Sequence, residues 1–333
     1  MVNLQLRMKI SKLLLMNHKL HYPLLLLSLL MTTLAIGQHT NFNTQRNWSL
    51  NKKEFLFGLG ATQFLGDLGG RDRVGTDYSL MDLDLKSTNL AGMIGYRYRF
   101  HPYWATSTTL SGGMLRGSDA QTNEIIRSSR NLHFRSIYFE LSQRLEFILL
   151  SNEKFGARYR IRGLKHAKNR NEQLYIFGGV GAMYYNPEAQ YQGEWVKLRP
   201  LKTEGQGMEG GAKAYIPVTL AIPVGIGLRM GLNEMWRIGI EAVYVKTFSD
   251  YIDDVGGVYY DQATLASEVG AQSAYLSNPS VQNKTWFGTG EQRGDKQKDA
   301  YFNVNIVVAR NLTYKNYTSA RTRYGLKGGR YKF

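Results

Sequence analysis

Residues 221–248 read AIPVGIGLRMGLNEMWRIGIEAVYVKTF, and apolar side chains fall on every second position. Ile222, Val224, Ile226, Leu228 and Met230 share one face. After a GLNE turn, Trp236, Ile238, Ile240, Ala242 and Tyr244 continue it. The opposite face carries Gly225, Gly227, Arg229, Arg237, Gly239 and Glu241. A period of two predicts a pair of strands. In a soluble sandwich the apolar face turns inward. In a membrane barrel it turns to lipid, and glycines and charges fill the lumen.

The same period recurs along the chain. Phe55, Phe57, Leu59 and Ala61 alternate with Leu56, Gly58, Gly60 and Thr62. Leu90, Ile94, Tyr96 and Tyr98 alternate with Ala91, Gly95, Arg97 and Arg99. Residues 103–115 form a Thr/Ser/Gly-rich run with Trp104 and Leu110. Ile137, Phe139, Leu141, Leu145 and Phe147 oppose Tyr138, Glu140, Ser142, Arg144 and Glu146. Residues 174–185 and 300–312 supply two more runs, the last placing Phe302, Val304, Ile306 and Val308 on one face. With the opening hairpin this makes an even count of strands. Two connections on one side are very short, at His101–Pro102 and at GLNE, while those on the other side are long. The exception is the basic stretch between the fourth and fifth runs. The expected fold is therefore all-β: an eight-stranded antiparallel up-and-down transmembrane β-barrel with long extracellular loops. The competing architecture is a sandwich.

A barrel of this size is filled by its own side chains. The predicted lumen charges are Arg97, Arg99, Glu140, Arg144, Glu146, Arg229, Arg237 and Glu241. They should pair, since an unpaired buried charge is costly, and so form a polar plug and not a pore. Phe100, Trp104 and Trp236 are expected in the periplasmic aromatic belt, Tyr184 and Phe248 near the outer one. Pro217 and Pro223 fall in the sixth run, where each removes a ladder donor, so a bulge is expected there.

The amino-terminal residues refine this picture. Arg7, Lys9, Lys12 and Lys19 precede PLLLLSLLMTTLAIG, an apolar run ending in Ala35 and Gly37. That is the pattern of a secretory signal peptide cleaved near Gly37, and together with the expected barrel it gives outer-membrane localisation in a Gram-negative bacterium as the expectation. The run is too short for a spanning helix. Initiation at Met8 or Met16 would give a shorter leader of the same kind. The domain plan is a signal peptide over 1–37, a periplasmic segment over 38–52, the barrel over 53–313 and a basic periplasmic tail over 314–333. The chain has 0 Cys, so the domain must hold by its core or by closure of its sheet.

A net charge of +16 raises the question of nucleic acid, but its distribution answers it. Residues 1–37, 151–172 and 310–333 account for all of the excess, and no basic groove with interleaved aromatics stands out elsewhere. No nucleic-acid partner is expected. Strand parity puts the last two segments on the periplasmic side. Their cations Arg158, Arg160, Arg162, Lys165, Lys168, Arg170, Arg321, Arg323, Lys327, Arg330 and Lys332 are candidates for docking an acidic partner.

Other chemistry is sparse. His39, His101, His133 and His166 show no zinc-ligand spacing. Asp250, Asp253 and Asp254 are weak calcium candidates, with spacing unlike an EF-hand. Residues 261–280 read as a helix capped by Asp261 and stopped at Asn278–Pro279. Arg293–Gly294–Asp295 spells an adhesion tripeptide that chance explains. The Gly-rich residues 66–75 lack the Lys-Ser/Thr ending of a phosphate loop. No cofactor and no catalytic residue is expected.

Several stretches together carry a family resemblance: GATQFLGDLGG (60–70), YIFGGVGAMYYNP (175–187), WVKLRPLKTEGQG (195–207), residues 221–255 and RGDKQKDAYF (293–302). The chain resembles the DUF6089-type outer-membrane β-barrel family of Bacteroidota, which includes PorG-like proteins of type IX secretion and gliding. The resemblance implies a non-enzymatic barrel that anchors a periplasm-spanning assembly. Its implied partners are outer-membrane lipid, the barrel-assembly machinery during insertion, and periplasmic type IX components. The alternative is a structural or ligand-binding barrel whose loop 250–298 forms an extracellular site.

Overall fold

A computed structural model describes residues 48–68, 87–121, 125–152, 172–232, 235–280, 284–295 and 297–313. The expected signal peptide, the basic connection and the tail lie outside the described residues. So do most of the segment 38–52 and most of the Gly-rich loop 66–75.

The strands are β1 (Lys53–Leu65), β2 (Asn89–Arg99), β3 (Trp104–Ser118), β4 (His133–Asn152), β5 (Glu172–Tyr191), β6 (Glu194–Lys197), β7 (Val218–Gly231), β8 (Trp236–Thr247) and β9 (Ala300–Asn311). They form a single sheet in the order β4-β3-β2-β1-β9-β8-β7-β5-β6, and a further β4–β5 pairing closes it. β6 pairs only with β5, as a short hairpin that folds back through positive-φ Gln192 and Gly193. The other eight strands make the barrel, every neighbour antiparallel. Closure leaves no edge through the barrel wall, which is how a sheet satisfies its backbone where water is absent.

The period of two decides the faces. Ile222, Val224, Ile226, Leu228 and Met230 are exposed, while Ala221, Pro223, Gly227 and Arg229 between them are buried. On β8, Arg237, Gly239 and Glu241 are buried and Ile240 is exposed. The oily face therefore points outward all round the barrel. Phe100 and Trp104 are exposed at the end bearing the short turns, Tyr184 and Phe248 at the loop end.

Pro223 fits without breaking the strand. Its register partner on β8 is Val245. On the β5 side the ladder pairs Gly178 with Val224 and Gly181 with Ala221, and is interrupted between them, where the missing donor falls. Pro217 lies just before β7, and its carbonyl accepts from the Tyr185 amide at 3.0 Å.

The expected helix over 261–280 is two short ones, Gln262–Glu268 and Ala271–Ser277. Gly270, at φ 129°, breaks it between them. The Asp261 carboxylate caps the first by accepting from the Thr264 amide at 2.8 Å.

Candidate functional site

Two layers fill the barrel: an ion-pair network in the lumen and a polar cap made by the loops. Strand alternation delivers the first. Glu54 on β1, Arg97 on β2, Glu146 on β4, Arg229 on β7 and Arg237 and Glu241 on β8 all point inward and are buried. Arg97 holds Glu54 at 2.7 Å and Glu146 at 2.5 Å. Arg229 holds Glu241 at 2.7 Å and lies 3.8 Å from Glu54 and 3.7 Å from Glu146. Arg237 reaches Glu54 at 3.3 Å, and Arg144 reaches Glu241 at 3.6 Å. Glu54, at 0% exposure, thus touches three arginines and is the hub.

Aromatic groups seal the network. The Tyr175 hydroxyl donates to Glu241, and the Arg229 guanidinium lies 4.3 Å from the Tyr175 ring. Arg144 packs over Phe177 at 5.1 Å. Nearer the loops, the Tyr301 hydroxyl donates to Glu140, and the Tyr138 and Tyr301 rings meet at 4.9 Å. At the turn end Arg99 donates to the Pro102 carbonyl, and the turn Trp48–Asn51 closes against the strands through Asn51, which accepts from Asn311 at 2.5 Å. A lumen so filled has the chemistry of a plug: Glu54, Glu146 and Glu241 face Arg97, Arg144, Arg229 and Arg237, while Glu140 and Arg99 are held by a tyrosine hydroxyl and a carbonyl.

The cap is built by two buried arginines. Arg130, in the β3–β4 connection, grips Asp119 through two bonds at 2.7 and 2.8 Å. It also donates to the carbonyls of Arg293, at 2.6 Å, and Asp67, at 2.9 Å. Arg293, in the β8–β9 connection, binds Glu204 at 2.9 Å, the Asp254 carbonyl at 2.7 Å and the Ser277 carbonyl at 3.1 Å. Together they tie all four loop-end connections. Burial disfavours both cations, but the facing carboxylates, Asp119 and Glu204, more than offset it and hold each guanidinium above its ordinary pKa.

Carboxyls crowd the same region. Burial pushes Asp67 up to about 7, helped by the neighbouring Asp295 charge. Burial raises Asp254 to about 6, against the opposing pull of Arg293 and of hydrogen bonds from Thr203 and Tyr215. Burial raises Asp253, helped by the charges of Asp299 and Asp67, and raises Asp299, helped by those of Asp67 and Asp250.

The calcium candidates do not share a ligand position. Asp254 accepts from Thr203 at 2.5 Å and Tyr215 at 2.6 Å. Asp253 accepts from the Val255 amide at 3.0 Å, and Asp250 sits 3.6 Å from Lys298. Among the described residues no group of three or more His, Asp or Glu side chains is arranged to hold a metal ion. All three aspartates are buried within the cap and not presented on its surface. Arg293 of the Arg-Gly-Asp tripeptide is likewise internal. His133 accepts from the Gln190 amide at 2.9 Å, and His101 is exposed on the short turn. The docking candidates Arg158, Arg160, Arg162, Lys165, Lys168, Arg170, Arg321, Arg323, Lys327, Arg330 and Lys332 lie outside the described residues.

Reading the strands by period missed Glu54, which sits behind Lys52 and Lys53 at the strand's first turn of phase. Its signal was there, since Glu54, Leu56, Gly58 and Gly60 share one face. It also missed Arg130, Asp67 and Glu204, which converge from separate loops and carry no periodic signature.

The molecule is an outer-membrane-type, eight-stranded β-barrel. No family model matches the chain, and no curated protein sequence matches it. Solved structures with the same kind of barrel do. Ail, the attachment invasion locus protein of Yersinia pestis, is 10% identical with a TM-score of 0.32, over 78% of this chain and 97% of that one. Neisserial surface protein A is 5% identical with a TM-score of 0.34, over 79% and 97%. OprG of Pseudomonas aeruginosa is 8% identical with a TM-score of 0.32, over 78% and 95%.

Proposed function

We propose that this chain is a non-enzymatic outer-membrane barrel that anchors a periplasm-spanning assembly, of which type IX secretion is the instance its family resemblance implies. The observation that carries the reading is the lumen network around Glu54. Its three arginine contacts at 2.7, 3.3 and 3.8 Å fill the barrel's cross-section with paired charge. A lumen filled in this way among the described residues supports a barrel that acts through its outer surfaces.

Strand direction adds support. β4 ends and β5 begins at the short-turn end, and β9 finishes there. That end faces the periplasm in barrels of this type, which supports, for the basic residues that follow β4 and β9 in the sequence, a role on the periplasmic side. Positive segments of this kind steer and dock acidic partners. Two experiments test the reading. Planar-bilayer recordings of the purified barrel should give essentially no conductance. Replacing the tail's Lys and Arg residues with Gln should weaken co-purification of periplasmic partners and lower secretion. Unchanged secretion and co-purification would remove the tail from the mechanism.

A further inference from the structure

The outward face of the described strands carries a depression over β1 to β4 and β9. Around a single row, Ile306 on β9 pairs with Leu59 on β1, Leu59 with Gly92 on β2, Gly92 with Gly112 on β3, and Gly112 with Phe139 on β4. Two side chains are thus missing side by side on the lipid-facing surface. The neighbours stand tall: Leu59 is 77% exposed and Leu90 84%. The result is an apolar groove of about 790 Å³ on the barrel wall.

The two glycines differ. A Cβ on Gly112 would lie 2.9 Å from the Phe139 ring, which already leans over that site. A Cβ on Gly92 would have its nearest neighbours, Leu59 Cδ2 and the Gly58 carbonyl oxygen, at 3.7 Å. The floor at Gly92 is therefore open, with Leu59 on one side and the Phe139 ring on the other.

Height in the membrane identifies the occupant. Gly112 lies eight residues along β3 from Trp104, at the periplasmic belt. A tilted strand climbs about 20 Å in that length, out of an apolar band about 25 Å tall. The groove thus opens within the outer leaflet. Its walls include Phe57, Leu59, Ile94, Leu110, Phe139 and Ile306, an apolar lining that a slender hydrocarbon chain matches, and Leu59, 77% exposed, projects beside the glycine floor and holds off the flat face of a second barrel.

We infer that the Gly92–Gly112 groove is a binding site for one acyl chain of an outer-leaflet glycolipid of the lipid A type. The site holds that chain longer than the surrounding belt holds its lipid. The inference does not depend on the anchoring role.

The test uses the full chain in phosphatidylethanolamine nanodiscs doped with lipid A that carries a photoreactive diazirine on an acyl chain. After illumination, peptide mass spectrometry should place the label mainly on the β2 and β3 peptides containing Gly92 and Gly112. Gly92→Leu should reduce it to the level seen on β7 and β8. Gly92→Ala, which the open floor accommodates, should reduce it in part and secures the result if the larger side chain prevents insertion. Equal labelling around the barrel would overturn the site. So would labelling there by diazirine-phosphatidylethanolamine but not by lipid A, or barrel–barrel crosslinks through Leu59 in place of lipid adducts.

Discussion

The Arg130 guanidinium donates to the Arg293 carbonyl oxygen at 2.6 Å, joining loops 163 residues apart in the chain. Each arginine also carries its own carboxylate partner, Asp119 or Glu204, so the two form a linked pair of clamps beneath the cap. The loop end of the barrel is held shut by buried charge, as is the lumen below it.

Removing one clamp should open the cap and spare the barrel. Arg293→Ala leaves Glu204 buried without its cation, a change that costs about 3–5 kcal/mol. Limited proteolysis of intact cells should show new cleavage within residues 250–298. Heat-dependent migration on gels should still report a folded barrel. Wild-type protease resistance in the variant would show that Arg293 does not hold the loops.

The lumen hub makes a sharper demand. Glu54→Ala removes the buried carboxylate that Arg97, Arg229 and Arg237 share, leaves excess positive charge in the lumen, and should lower stability by about 3–5 kcal/mol in urea unfolding from detergent. Glu188→Ala breaks the part-exposed pair with Arg135, whose side chains are 28% and 17% exposed, and should cost no more than about 1 kcal/mol. Equal losses at the two sites would contradict the assignment of Glu54 as the hub.

The eight barrel strands and the direction of their faces were legible in the sequence because lipid on one side and a filled lumen on the other impose a period of two. Arg97, Arg229 and Glu241 could be read from that phase alone. Glu54 was obscured by the lysines before it, which mark a strand entry as readily as a lumen position. The β5–β6 hairpin was not legible, since Gln192–Gly193 is a weaker turn signal than Asn-Gly. The cap was hidden for a physical reason: Arg130, Asp67, Glu204 and Arg293 meet only after four loops fold over a closed barrel.

The cap should loosen as pH rises. Asp67, at about 7, and Asp254, at about 6, both lie above the ordinary 3.8. Groups raised in this way bind protons more tightly in the closed cap than in the opened loops. Their contribution is full below about pH 4 and is lost as pH climbs through 6 to 7. Hydrogen-exchange protection factors in the loops, corrected for the intrinsic rise of exchange with pH, should therefore fall between pH 5 and 8. Asp67→Asn should flatten the upper part of that change. A cap that tightens with rising pH would reverse the sign and refute the account.

The outward face predicts a depth-dependent penalty. Ile240, exposed in the middle of β8, should tolerate other apolar residues. Ile240→Arg should cost about 2–4 kcal/mol in a bilayer. Refolding titrations into vesicles measure this directly, and a negligible cost would place that face away from lipid.

The most direct test of the anchoring role is crosslinking in intact cells from photoreactive residues placed at positions 158–170 and 321–332. The account predicts adducts with acidic periplasmic components of a secretion assembly, lost when the neighbouring Lys and Arg residues become Gln. Adducts with barrel-assembly factors alone would contradict it and leave a sealed barrel whose work lies elsewhere.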